Sequence, residues 1–451
     1  MKRPVDISIL VLMLLPALAA AQTTNVTITE RLTLDRAINL ALENNRQIQT
    51  AALQVQKASE EVDIARSRRL PVFDIQGQAS QLLTPVNFAF PQGAFGEFPG
   101  IGPIPSTDTD VSVPQQLTYY LYSQVSQPVT QLFRINRGID SAVASHGIEQ
   151  EHMRAQRLSV TNSVKRLYFA ILQTESALDT TDQAIALYRE LDRTLEVRVA
   201  QKVALRSDAL DVQFRLAQEQ LTKTTYQNTL SSQKEQLNQL LGRDVRTDFV
   251  VEPVSTLSIA EIDVNAARTR ALENRPDVRE ARLKVEQADL DRRAKGAERI
   301  PDISVAVSYS SYFNIDVMPT NLATAGVQLK WEPFDWGRKG RELASKTHTV
   351  EQTRLAVRDA EDKVVVDVNT RFRTLAEKRA LLNVAQMAQA TSREKLRVKT
   401  NQYQVQAVLL PDVLQLRAEQ ANSDDNYQQA LLAFWTAKAD FENAVGEEVI
   451  P

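Results

Sequence analysis

The stretch ALENNRQIQTAALQVQKASEEVDIARSRRLP, Ala41 to Pro71, returns 230 residues later as ALENRPDVREARLKVEQADLDRRAKGAERIP, Ala271 to Pro301, with ten identities in 31 ungapped positions. Helical composition inflates such a match, but further coincidences accompany it. At an offset of 204, Asp208, Leu210 and Gly242 match Asp412, Leu414 and Gly446, and two extended segments precede each of these regions in the same order. A repeat of this length means one supersecondary plan used twice. The expected division is a signal peptide over 1–21, a first structural repeat over 22–252 and a second over 253–451.

The repeated helix carries a narrow apolar seam. Leu34, Ile38, Ala41, Asn45, Ile48, Ala52, Val55, Ser59 and Val62 alternate steps of four and three, a heptad that predicts left-handed supercoiled packing. No proline lies between Pro128 and Pro253 and no glycine between Gly340 and Gly446, so both stretches can be almost wholly helical. Each predicts a hairpin, over 136–242 and 338–446, with arms of some 65 residues, or roughly 100 Å. Ser207 suits an N-cap after the first bend and Pro411 suits the first turn after the second. Helices this long with modest apolar faces pack side by side as a coiled-coil bundle, tube or rod.

After each short helix, expected over 34–69 and 260–299, the period changes to two. Phe73, Ile75, Gly77 and Ala79 alternate with Asp74, Gln76, Gln78 and Ser80; Ile303, Val305, Val307 and Tyr309 alternate with Ser304, Ala306, Ser308 and Ser310. Strands are expected over 72–82, 117–128, 302–313 and 323–333. Two-faced strands of about ten residues with aromatic ends suit an outer-membrane β-barrel, and equally a soluble sandwich with one wet face. Trp331, Trp336, Tyr309 and Tyr119 are the candidate membrane-interface aromatics, and Tyr120, Tyr122, Tyr312, Phe313 and Phe334 could join such girdles. Four strands cannot close a barrel, and an open edge in lipid leaves backbone groups unpaired, so a membrane reading demands several chains. The connection 82–116, rich in Gly, Pro and Phe, is the long loop that barrels place outside the cell.

Composition removes other classes. Lys2 and Arg3 precede the apolar run Ile7 to Leu18 and the small residues Ala19 to Ala21, a secretory signal, so export from the cytoplasm is expected. Without 1–21 the formal charge moves from −3 to −4, and no clustered basic surface suggests nucleic acid. There is no cysteine, hence no disulfide, thiolate metal site or thioether lipid anchor. His146 and His152 are six apart, off the spacing that puts two ligands on one helix face, and His348 is alone. The Arg66-Ser67-Arg68-Arg69 run reads as a solvated helix end, and no catalytic constellation or phosphate loop is present.

Over essentially its whole mature length the chain resembles the TolC-like outer-membrane efflux family, the outer membrane factors. The resemblance rests on Leu32-Thr33-Leu34-Asp35-Arg36-Ala37-Ile38, on Asn274-Arg275-Pro276-Asp277-Val278 and on Glu332-Pro333-Phe334-Asp335-Trp336-Gly337, in that order and spacing. It implies a mostly α fold with membrane strands: a homotrimer sharing a twelve-stranded outer-membrane β-barrel, four strands per protomer, above a periplasmic α-helical barrel of long coiled-coil hairpins. It implies no enzyme and no cofactor. Substrates delivered by an inner-membrane transporter and a periplasmic adaptor would leave passively, in a tripartite efflux or type I secretion system; a periplasmic scaffold anchored at the outer membrane without a pore is the other reading. The resemblance places Asp412, Asp208 and Tyr403 at the constriction of the periplasmic tip, although a carboxylate in a helix's first turn is favoured anywhere. The chain departs from the family where a glycine is usual, at Lys202 and Gln406, at Gln415 in place of a second acidic residue, and at Val408 in place of a basic latch.

Overall fold

The computed structural model describes residues 30–253, 262–315, 319–405, 407–408 and 410–447, so the expected signal peptide and Gln406 lie outside the described residues. The first half runs through strand β1 (Glu30–Leu32), helices α1 (Leu34–Asn44) and α2 (Arg46–Ser67) and strand β2 (Val72–Gln81). Four short strands follow: β3 (Val86–Phe90), β4 (Glu97–Phe98), β5 (Gly102–Pro103) and β6 (Thr109–Val113). Then come β7 (Leu117–Pro128), the long hairpin α3 (Leu132–Ala200) and α4 (Arg206–Leu240), and β8 (Phe249–Val251). The second half has α5 (Val264–Asn274), α6 (Pro276–Gly296), β9 (Asp302–Phe313), β10 (Asn321–Lys330) and the hairpin α7 (Arg338–Gln404) and α8 (Leu410–Val445).

The four long strands form one antiparallel sheet in the order β10-β9-β7-β2. The helices beside the sheet keep that order, α2 on α3, α3 on α6 and α6 on α7; farther away it is α4 on α3, α3 on α8 and α8 on α7. The protein is therefore a wall one element thick and four lanes wide, with β2, α2 and α4 along one edge and β10 and α7 along the other. The connection expected as a plain loop is a finger of two stacked hairpins, β3 with β6 and β4 with β5.

The densest core sits at mid-height, where α1, α5 and the parallel pair β1 and β8 pack onto the long helices around Leu32, Ile38, Val164, Tyr168, Leu237, Phe249, Val278 and Val368. The offsets read from the sequence reappear as buried pairs: Ala37 and Ala267, Ala41 and Ala271, Ile48 and Val278 at 230, and Val160 and Val364, Val164 and Val368, Ile171 and Leu375 at 204.

Five expectations are corrected. The helix expected over 34–69 is broken at Asn45, whose extended backbone ends α1 and whose side chain accepts the N–H groups of Gln47 and Ile48 to start α2. The helix expected over 260–299 breaks likewise at Arg275, before Pro276, because the residue preceding proline disfavours the helical conformation. Beyond Asn45 the buried seam passes through Ala58, not Ser59, as a straight 3.6-residue helix drifts off a strict heptad. Ser207 lies inside the first turn of α4 rather than capping it, with Leu205 at the cap, and Trp331 falls just past the end of β10.

Candidate conduit and its surfaces

Strand register sorts the sheet into two faces. On one lie Phe73 and Ile75 of β2, Tyr119, Leu121 and Val125 of β7, Val305, Val307, Tyr309 and Phe313 of β9, and Ala325, Val327 and Leu329 of β10. Phe73, Val125, Val307 and Ala325 stand in one continuous row. The opposite face carries rows such as Asp74, Gln124, Ser308 and Thr324, where Ser308 Oγ and Thr324 Oγ1 are 2.7 Å apart. The apolar face is bare, with Val307 54% and Val327 69% exposed, whereas Thr118 and Ala306 on the polar face are 7% and 8% exposed. A whole sheet face of bare apolar side chains is the reverse of what a protein dissolved in water presents.

The candidate interface aromatics fall at two levels. Tyr119, Tyr309 and Phe313 are near its finger end, and Tyr309 donates to Asn321 Oδ1. Trp331 and Trp336 lie where the sheet passes into α7, and Trp336 is 86% exposed. Phe334 packs edge-on to Trp336 at 4.8 Å. Trp336 and Gly337 both take left-handed backbone, at φ 55° and 79°, and Asp335 accepts the N–H groups of Gly337 and Lys339, which begins α7. Those bonds hold the Asp335 carboxyl below its ordinary pKa.

At the other end of the wall each hairpin turns. Asp208 and Asp412 are exposed in the first turns of α4 and α8, and Tyr403 stands half-exposed in the last turn of α7. Lys202, a departure from the glycine that the resemblance implies, adopts φ 61°, and Val203 N–H returns to the Arg198 carbonyl at 2.9 Å, closing α3. Three bulky apolar residues, Val203, Leu205 and Val405, are bare at these tips.

Between sheet and tips the wall is locked at Tyr168. Its hydroxyl lies 2.8 Å from the carbonyl oxygens of Leu32 and Glu252 and accepts the Glu252 N–H at 3.0 Å, joining α3 to the ends of β1 and β8. Burial pushes its pKa up to about 12, partly offset by the bond to Glu252. His152 bridges α3 to α6 through Nε2, 2.9 Å from Glu280 Oε2. Among the described residues no three His, Asp or Glu side chains are placed to hold a metal ion, and no helix is long and apolar enough to cross a membrane.

The model of the family described as outer membrane efflux protein matches residues 37–243 and 267–447, most of the chain. The chain belongs to the outer membrane efflux protein family. As a member of this family it is a protein of the outer membrane with a periplasmic portion, not an enzyme. It is 22% identical to the toxin and drug export protein A of Aggregatibacter actinomycetemcomitans over 71% of this chain and 70% of that one. It is also 22% identical to the solvent efflux pump outer membrane protein SrpC of Pseudomonas putida, over 61% of this chain and 55% of the relative. The fold matches the Campylobacter jejuni CmeC outer membrane channel with TM-score 0.74 at 14% identity, over 92% of this chain and 85% of that one. It matches the open state of the Neisseria gonorrhoeae MtrE channel with TM-score 0.69 at 17% identity, over 92% and 88%.

Sequence reasoning did not separate the tyrosines of β7. Strand parity, already visible as the alternation of Tyr119 with Tyr120, puts Tyr119 on the apolar face and Tyr120 and Tyr122 on the polar one.

Proposed function

We propose that this efflux protein is a passive exit duct: three copies close edge to edge into a twelve-stranded barrel continued by a helical tube. The observation that carries the proposal is the wall's pair of unfinished edges. Among the described residues β2 and β10 each leave one side without a partner strand, which lipid does not tolerate. Most of the exposed bulky apolar side chains of the helices are on the edge lanes, among them Leu53 on α2, Leu210, Phe214 and Leu221 on α4, and Val366, Val384 and Met387 on α7, with Phe133 and Val197 at the two ends of α3 among the exceptions. Joining β2 to β10 of the next copy pairs the backbone and covers these side chains together.

The dimensions suit this reading. From Phe313 to Ile303 along β9 is ~34 Å, which at a barrel tilt near ~40° spans ~26 Å, against an apolar band of ~25 Å. The two structural repeats, 22–252 and 253–451, would give the trimer an approximate sixfold tube, with Trp331, Trp336, Tyr309 and Tyr119 at the lipid interfaces and Asp412, Asp208 and Tyr403 bordering the far mouth. Relatives named for pumps and export support coupling to an inner-membrane transporter through a periplasmic adaptor.

The test is a planar bilayer. The detergent-extracted protein should run as a trimer and pass current. Val307→Lys should impair insertion by about 2–4 kcal/mol per site, Ser308→Lys far less. A water-soluble monomer that passes no current would leave only the scaffold reading, and equal tolerance at both positions would overturn the assignment of faces.

A further inference from the structure

The polar face of the sheet holds one feature that neither core packing nor lipid contact explains. Tyr120 and Tyr122 of β7 and Tyr312 of β9 cluster there, near the finger end. Tyr120 and Tyr312 are register partners with ring centroids 5.0 Å apart and planes tilted by 36°; Tyr120 and Tyr122 are 6.2 Å apart and nearly parallel at 16°. Around them the face is polar: Gln78 is opposite Tyr120, Gln76 opposite Tyr122 and Ser310 beyond it. Tyr122 spends its hydroxyl proton on Gln124 Oε1 at 3.0 Å, within the same strand.

In a two-layer protein such a cluster would be the floor of a core, but among the described residues no helix is packed across this face. The cluster is also turned away from the apolar face that meets lipid. If three walls close as proposed above, the rings line the lumen, three from each copy.

We propose that Tyr120, Tyr122 and Tyr312 form an aromatic contact site inside the conduit for planar aromatic solutes, aromatic cations included. The inference rests on the duct reading. Ring faces give offset-stacked and edge-on contacts to a passing aromatic ring and attract a cation through their quadrupole. The Ser, Gln and Thr residues around them offer only contacts that water also makes. A solute with a flat ring would therefore dwell at this level longer than one of equal charge without a ring.

The experiment uses the full-length protein in planar bilayers and two probes of equal charge added on the finger side, benzyltrimethylammonium and tetramethylammonium. Wild-type channels should be blocked about fivefold or more strongly by the benzyl compound, the scale of one or two aromatic contacts. Tyr120→Ser with Tyr312→Ser should bring the ratio close to one, while Tyr120→Phe with Tyr312→Phe should keep it. If the double Ser variant does not insert, Tyr312→Ser alone is read the same way. Equal block of the wild type by both probes, or an unchanged ratio in conducting Ser variants, would overturn the site and leave the duct standing. A wild type that passes no current would overturn the duct and the site together.

Discussion

The elbows of the two halves solve one problem with different chemistry. In the first, Asn45 joins α1 to α2 and its Nδ2 donates to the Leu240 carbonyl near the end of α4 at 2.8 Å. In the second, Arg275 joins α5 to α6 and its Nη1 donates to the Ala444 carbonyl near the end of α8 at 3.3 Å. Leu240 and Ala444 are related by the same offset of 204 as the buried pairs of the core. Both returning helices then stop at a left-handed glycine, Gly242 at φ 70° and Gly446 at φ 77°. What the two halves share is an obligation: the carbonyls ending each long helix have no partner within it, and the elbow beside them supplies one. How it is met differs. Asn45 is neutral and 3% exposed, whereas Arg275 is charged and also holds Asp367 at 2.7 Å and Asp277 at 2.8 Å. Burial works against that charge, yet the two carboxylates hold the guanidinium above its ordinary pKa.

The glycines give the largest expected contrast. A Cβ on Gly242 would sit 2.1 Å from the Asn44 carbonyl oxygen, while one on Gly446 would meet the side-chain Cγ of Arg275 at 3.2 Å. Gly242→Ala should therefore cost about 3 kcal/mol or more, and Gly446→Ala about 1–2 kcal/mol, mostly the left-handed backbone itself. Thermal unfolding of the two variants in detergent measures the gap; equal losses would mean that the elbows are not packed differently.

The elbow residues come next. Arg275→Ala leaves Asp367 and the Ala444 carbonyl short of a donor and should cost about 2–3 kcal/mol. Asn45→Ala removes a cap and one bond and should cost about 1–2 kcal/mol. Adding Asp367→Asn should recover part of the first loss and none of the second. Recovery in both, read as a double-mutant cycle, would break the distinction between a charged and a neutral elbow.

A further contrast needs pH to show it. At the offset of 204, Tyr168 corresponds to Phe372, which has no hydroxyl and packs against Phe441 at 6.2 Å. Because the folded Tyr168 has a raised pKa, its contribution is complete below the unfolded value near 10 and is lost as pH rises towards about 12. Stability should fall by about 2 kcal/mol across that window, and Tyr168→Phe should remove this part of the fall while being less stable at neutral pH. An unchanged alkaline limb in the variant would show that the first half is not held by this hydroxyl.

Much of this was legible in the chain, for stated reasons. Period-two alternation gave strand faces because side chains must alternate, and the absence of proline and glycine allowed the long arms. The elbow at Asn45 was hidden because a single extended residue leaves the seam on course, so Ile38, Ala41 and Ile48 still read as one helix. Pro276 carried the missing signal for the second half, and the repeat would have transferred it to the first. The finger could not be read because β3 to β6 are pairs of two to five residues set by turns. At the tips the left-handed position was not legible, because Lys202, unlike glycine, carries no preference for it; in the proposed ring what Asp208 and Asp412 face depends on neighbouring copies, which one chain's sequence does not encode locally.

The fixed order of lanes has a consequence for calibre. Four strands tilted by ~40° take up roughly 25 Å of circumference, whereas four helices packed ~9 Å apart take up roughly 36 Å. Each lane runs from strand into helix without gaining or losing a neighbour, so if copies close into a ring as proposed, however many they are, its bore would flare on leaving the bilayer. The proposed duct would then be a bottle: a narrow neck in lipid and a broad body beneath, with the shoulder at the strand-to-helix passages after Pro128 and Lys330.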